Sequence, residues 1–187
     1  MGNKLDIKTT KLNGIFIINS NSYKDDRGEF IRLFCEDELK DIFQPYNIKQ
    51  VNYSKTYKKG SVRGLHFQYE PDCEIKIIKC IKGKILDIVV DIRQDSPTFL
   101  QTFLVELSEE KNNMIYISKG FAHGFQTLED DTQLIYFHSN IYNPNNESAL
   151  NIQDPKLNIK LPLDIIDISE RDKEHLFLDN NFKGIKI

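Results

Sequence analysis

Four histidines, at positions 66, 123, 138 and 175, are the side chains of this sequence best suited to moving protons near neutral pH, and they lie among acids, tyrosines and cations. His66 sits in "SVRGLHFQYE", Ser61–Glu70, beside Arg63 and Gly64. Histidine takes up and releases protons around neutrality, and a nearby cation can hold a negative charge that develops in a reaction. The same run has the look of a strand, where a glycine is weakening and a core-facing histidine must find a partner. Strict alternation would send Arg63 and His66 to opposite faces. If both reach one ligand, the strand must be irregular between them, and Gly64 is the residue for a bulge or a close backbone approach.

Other candidates each carry a plain structural reading beside the chemical one. His123 lies between Phe121 and Phe125 in "GFAHGFQTLED" and reads first as a satisfied core histidine. "ISERDKEH" places Ser169 and Asp172 in the spacing of a capping box. Asp172 is then a helix-start acid, or it is the carboxylate that holds a histidine in one tautomer and raises its basicity; nothing local decides. Lys76 in "EIKIIKC" can reach solvent as edge-strand lysines do, and Tyr136 and Tyr142 can be half-buried aromatics. The histidines are widely scattered with no His-x-His pair, so the chain reads as metal-free.

The elements that must position these residues are mostly short strands. "GIFIINS", "EFIRLF", "IKQVNYS", "SVRGLHFQ", "EIKIIKCI", "KILDIVVDI", "FLQTFLVEL", "NMIYIS", "GFQTLE" and "QLIYFHS" are β-like runs bounded by turn signals. Gly83 between two β-branched runs signals a hairpin, and "CEDELKDIF" is the one convincing early helix, with acids in its first turn. Alternation puts Asp87 and Asp91 on a face with Ile85 and Val89, Lys76 with Ile78 and Cys80, and Tyr136 and His138 with Leu134. Polar groups recurring on otherwise apolar faces fit a small β-barrel or sandwich with a ligand-holding interior. The polar tail from about Asn146, broken by Pro155 and Pro162, is expected to wrap this single domain.

Composition narrows the function. A chain of 187 residues, 40% hydrophobic and 28% charged, fits one globular domain with a real core. A net charge of −3 with dispersed basic residues gives nucleic-acid binding little support. No apolar run approaches the ~20 residues of a membrane span, and "MGNKLDIKTT" lacks the apolar stretch of a signal peptide. The Met1–Gly2 start loosely matches a myristoylation signal, but such starts are common and it is discounted. Three cysteines, Cys35, Cys73 and Cys80, lack metal-ligand spacing and read as reduced thiols of a cytoplasmic protein.

Taken together, "DDRGEF", "VRGLHFQ", "KIIKCIKGKILDIVVDIRQDSPTF", "ISKGFAHGFQTLED", "LIYFHSNIYNP" and "ISERD" occur in an order that resembles the dTDP-4-dehydrorhamnose 3,5-epimerase family, over roughly Asp25 to Asp172. The resemblance implies a cupin-like jelly roll with few short helices, and a homodimer with N-terminal strands exchanged between subunits. It also implies no metal and no cofactor, and a nucleotide-linked 4-keto-6-deoxy sugar as substrate. By resemblance His66 is the base, Asp172 its orienting partner, Tyr136 the acid on the opposite face, and Lys76 the group near the keto oxygen. Arg27, Phe30, Arg32, Gln50, Asn52, Arg63, His123 and Tyr142 match positions that bind the nucleotide or sugar.

The chain also departs from the family. Arg32 stands in "RGEFIR" where many members carry a glutamate. Guanine offers O6 and N7 acceptors that an arginine satisfies, which raises a GDP-linked sugar as an alternative to a dTDP-linked one. "FHSN" after Tyr136 departs from a lysine-rich version and bears on sugar choice. A C3-only epimerase, an epimerase acting on a GDP-linked sugar or heptose, a 3,4-ketoisomerase and a non-catalytic sugar-binding jelly roll are the other readings; retention of His66 and Tyr136 weighs against the last two.

Overall fold

The computed structural model describes residues 4–187, so the Met1–Gly2 start lies outside the described residues. Thirteen strands and two α-helices follow one another among those residues. Strands β1 (Leu5–Thr9), β2 (Ile15–Ser20), β10 (Asn113–Ile117), β7 (Lys76–Lys82), β12 (Thr132–His138) and β5 (Gln50–Thr56) form one antiparallel sheet in that spatial order. Strands β13 (Glu147–Ala149), β6 (Val62–Gln68), β11 (Phe121–Thr127), β8 (Lys84–Asp91) and β9 (Thr102–Ser108) form a second. A small hairpin, β3 (Tyr23–Asp25) with β4 (Gly28–Phe30), stands apart. The arrangement is the cupin-like jelly roll expected from the motifs.

Three apolar layers hold the sheets, and alternation decides which residue enters which. The inner faces meet through Ile78, Cys80, Ile85, Val89, Ile115, Phe125 and Leu134. The outer face of the five-stranded sheet buries Val62, Leu65, Phe67, Ile88 and Val90 beneath tail residues Leu150, Ile152, Leu157 and Ile185. The outer face of the six-stranded sheet buries Ile18, Ile77, Met114 and Tyr116 beneath Leu39 and Phe43 of helix α1 (Glu36–Phe43). Each such side chain, fully buried, contributes on the order of 1.5–3 kcal/mol. Three acids occupy the first turn of α1, where they complement the positive end of its dipole.

Two expectations are corrected. Gly83 does not close a hairpin: β7 and β8 belong to different sheets, and Gly83, at φ +76°, lets the chain turn from one to the other. A Cβ there would sit 2.8 Å from Thr132 Oγ1. "EFIRLF" is strand only as far as Phe30. Beyond it the Arg32 carbonyl accepts from Ser20 Oγ at 2.7 Å and the guanidinium turns to Glu38 on α1, so this backbone is satisfied outside a ladder. Strand β1, which the alternation pattern did not flag, lies at the sheet edge against β2.

The irregularity expected at Gly64 is present. His123 pairs with His66 and Phe125 pairs with Arg63, so three steps of β6 answer two of β11. Gly64 absorbs the extra residue at φ +105°, and a Cβ there would lie 2.6 Å from both Gly124 Cα and the His123 carbonyl. Gly124 reciprocates, since its own Cβ would meet the Arg63 carbonyl at 2.5 Å. Gly64→Ala is therefore expected to cost about 2 kcal/mol or more, read as a lowered urea midpoint; an unchanged midpoint would show that this contact is relaxed.

Candidate active site

A cavity of about 830 Å³ opens between the two sheets, within the size range of small-molecule sites. The six-stranded sheet contributes Gln50, Asn52, Ser54 and Thr56 from β5, Lys76 from β7, and Tyr136 and His138 from β12. The five-stranded sheet contributes Arg63 and His66 from β6, His123 from β11 and Glu147 from β13. The segment Asp167–Asp172 closes one side and Tyr142 another. His66 and Tyr136 thus face one space from opposing sheets.

The bulge explains how β6 serves this space. Val62, Leu65 and Phe67 pack into the outer core, while Arg63 and His66, three residues apart, both line the cavity. Arg63 Nε donates to Thr56 Oγ1 at 3.2 Å across the cavity wall.

Asp172 ties helix α2 (Glu170–Glu174) to β6. Ser169 caps this short helix, accepting from the Asp172 N–H at 3.1 Å. The Asp172 carboxylate accepts from His66 Nε2 at 2.8 Å and from the Gly64 N–H at 3.2 Å. Asp172 is therefore both a residue of the capped first turn and the partner of a histidine. Burial by itself would raise this carboxyl, but the His66 ring, the Gly64 N–H and Ser169 outweigh it and hold it below the usual carboxylate range. An ionised Asp172 fixes the proton on Nε2 and leaves Nδ1 as the basic nitrogen.

Arg171 also approaches His66 Nε2, at 3.2 Å. One nitrogen cannot both donate to Asp172 and accept from a guanidinium. The shorter contact to the carboxylate decides the hydrogen, and Arg171 spends its donors on Glu147, at 2.7 Å.

Tyr136 has the opposite electrostatics. Its hydroxyl contacts Ser54 Oγ at 3.2 Å, and burial pushes the phenol far above its ordinary value, with only partial relief from Ser54. A phenol so placed stays protonated and is available as a donor. His123 Nε2 contacts Asp87 Oδ2 at 2.7 Å, so it is a satisfied histidine that also lines the cavity. Gln50 accepts the Tyr142 N–H at 3.0 Å and donates to Asn52 at 3.2 Å, which holds the mouth together.

Arg27, Phe30 and Arg32 are not among the residues lining the cavity. Arg27 pairs with Asp25 on the small hairpin, Phe30 is 69% exposed there, and Arg32 pairs with Glu38. Glu74, Glu147 and Arg171 line the cavity without having been picked out from sequence. Glu74 was findable, since it is two residues from Lys76 and strand alternation puts the two on one face. No three His, Cys, Asp or Glu side chains among the described residues gather as a metal-ligand set.

Comparison with known proteins agrees with this geometry. Residues 9–180 match the family model described as dTDP-4-dehydrorhamnose 3,5-epimerase. The dTDP-4-dehydrorhamnose 3,5-epimerase of Shigella flexneri is 32% identical over 169 residues, 90% of this chain and 93% of that protein. The Legionella pneumophila epimerase solved in complex with dTDP-4-keto-L-rhamnose superposes with a TM-score of 0.88 at 32% identity, covering 92% of each chain. A 3'-monoepimerase from Streptomyces bikiniensis in complex with dTDP-quinovose superposes with a TM-score of 0.85 at 31% identity, covering 91% of this chain and 86% of the other. The matched span takes in the whole five-stranded sheet, all of the six-stranded sheet beyond β1, and every strand that lines the cavity, and the chain belongs to the dTDP-4-dehydrorhamnose 3,5-epimerase family.

Proposed function

We propose that this protein inverts C3 and C5 of a dTDP-linked 4-keto-6-deoxy sugar. The observation that carries the reading is His66, held by Asp172 on one sheet, facing the cavity opposite Tyr136 on the other. The C4 ketone acidifies the C–H bonds on either side of it. His66 Nδ1 takes the proton from one face of the ring, and the electron pair of the broken C–H bond delocalises onto the ketone oxygen as an enolate. Lys76 stabilises that oxygen. Tyr136 returns a proton to the opposite face, which leaves the carbon inverted; a proton exchange with solvent resets both groups. The same steps at the other carbon complete the double inversion, and no redox step is needed.

Arg63 supplies donors for the pyrophosphate and His123, its ring held by Asp87, lines the same wall, while Gln50, Asn52 and Tyr142 line the sugar and nucleotide mouth. Arg32 offers little to a guanine, since it lies outside the cavity and is turned toward Glu38. A thymidine nucleotide is the better reading. The hairpin carrying Arg27 and Phe30 is exposed and outside its own cavity, and it suits a homodimer in which each copy lends that hairpin to its partner's site. The protein works in the cytoplasm, where nucleotide sugars are made; no helix among the described residues is long and apolar enough to cross a membrane.

The reading is checked by incubating the 4-keto sugar with enzyme in D2O and following C3 and C5 by proton NMR. Deuterium is expected at both carbons. His66→Ala and Tyr136→Phe are each expected to slow the exchange by about 10²- to 10⁴-fold. Wash-in at C3 alone would favour the second reading, a C3 epimerase like the Streptomyces bikiniensis relative; none at all would defeat the epimerase reading. Isothermal titration is expected to give tighter binding of dTDP than of GDP, and the reverse order would reinstate the guanine reading. Light scattering is expected to return twice the chain mass; a monomer would leave Arg27 and Phe30 without a route to the substrate.

A further inference from the structure

One more set of titratable side chains faces the cavity, on the sheet that carries Tyr136. The Glu74 carboxylate stands between two donors: Lys76 Nζ lies 3.3 Å from Oε1, and His138 Nδ1 lies 2.8 Å from Oε2. The three side chains are 9%, 12% and 11% exposed in the order Glu74, Lys76, His138, so water does little of the work of solvating them. Lys76 and His138 are direct cross-strand partners in the β7–β12 ladder, which is why one carboxylate reaches both.

The rest of the His138 ring is also held. It stacks on Tyr136, with centroids 6.0 Å apart and planes 20° apart. Nδ1–H donates to Glu74, so in the neutral ring Nε2 carries the lone pair and faces the Asn52 amide at 3.4 Å. Burial would raise the Glu74 carboxyl, yet Lys76 and His138 together hold it below the usual range. The carboxylate is therefore ionised and divided between two fixed donors.

A lysine side chain has several rotatable bonds and, left alone, explores many positions. An ammonium that must sit beside a developing oxyanion gains most when it needs no reorganisation as the charge forms. We propose that Glu74 is a positioning residue for Lys76, and that His138 keeps Glu74 in place, so that the pair clamps the ammonium at the wall of the cavity. Glu74 acts through Lys76 and does not touch the reacting atoms. The proposal rests on the epimerase reading for the task that Lys76 performs.

A double-mutant cycle tests it, using Glu74→Gln, Lys76→Met and the double variant in the full-length protein. Glu74→Gln is expected to lower kcat by about tenfold or more, with KM and dTDP affinity nearly unchanged. In the Lys76→Met background the same change is expected to cost nothing further, because residues that act as one unit are not additive. Additive losses, or a change confined to KM, would overturn the clamp. A crystal structure of Glu74→Gln reads the same claim without turnover: the Lys76 side chain is expected to leave its present position. Lys76 unmoved would overturn the clamp even if the wild-type protein exchanged no deuterium, a result that by itself would defeat only the epimerase reading.

Discussion

The close approach of β6 to β11 at Gly64 is the constraint on which the site depends. One extra residue in β6 changes the parity of the strand, so that Arg63 and His66 face the same side while Leu65 and Phe67 still fill the outer core. The backbone at that point passes so near Gly124 that neither position has room for a side chain. The Gly64 N–H then meets the Asp172 carboxylate, the same group that orients His66. Backbone irregularity and histidine chemistry are therefore joined through one aspartate, and a change to either is felt by the other.

The two sheets divide the chemistry between them. On the five-stranded sheet, the ionised Asp172 carboxylate holds the His66 ring with its proton on Nε2. On the six-stranded sheet, burial keeps the Tyr136 phenol protonated while Lys76 lies against the Glu74 carboxylate. An imidazole held by a carboxylate on one wall and a protonated phenol on the other is the pairing expected where a proton leaves one face of a ring and another arrives at the opposite face. The sandwich supplies that geometry directly, because its inner faces look at each other across the space a ligand would fill.

What lies outside the cavity is also informative. The tail covers the outer face of the five-stranded sheet and delivers Asp172 to β6 partway along that path. Helix α1 covers the other outer face and engages Arg32 through Glu38. Both covering elements are chosen by the apolar residues that alternate with the functional ones, so the same period-two pattern that builds the site also builds the scaffold behind it.

Much of this was legible from residue order. Alternation along "KILDIVVDI", "EIKIIKCI" and "QLIYFHS" identified the inward polar groups, because side-chain direction in a regular strand depends only on position. The glycine of "SVRGLHFQ" announced an irregular strand for the same reason, and the ordered motifs carried the family resemblance. Pairing partners were not legible. Gly83 looked like a hairpin turn because two strands flank it, and only the competition among strands for neighbours sent β7 and β8 to opposite sheets. Glu74 drew no reading of its own until His138 arrived across the ladder to share it, and Arg32 read as a candidate guanine contact until Glu38 came within reach. Local sequence determines which way a side chain points; which group it meets depends on contacts between residues far apart in the chain, and those exist only once the sheets have closed.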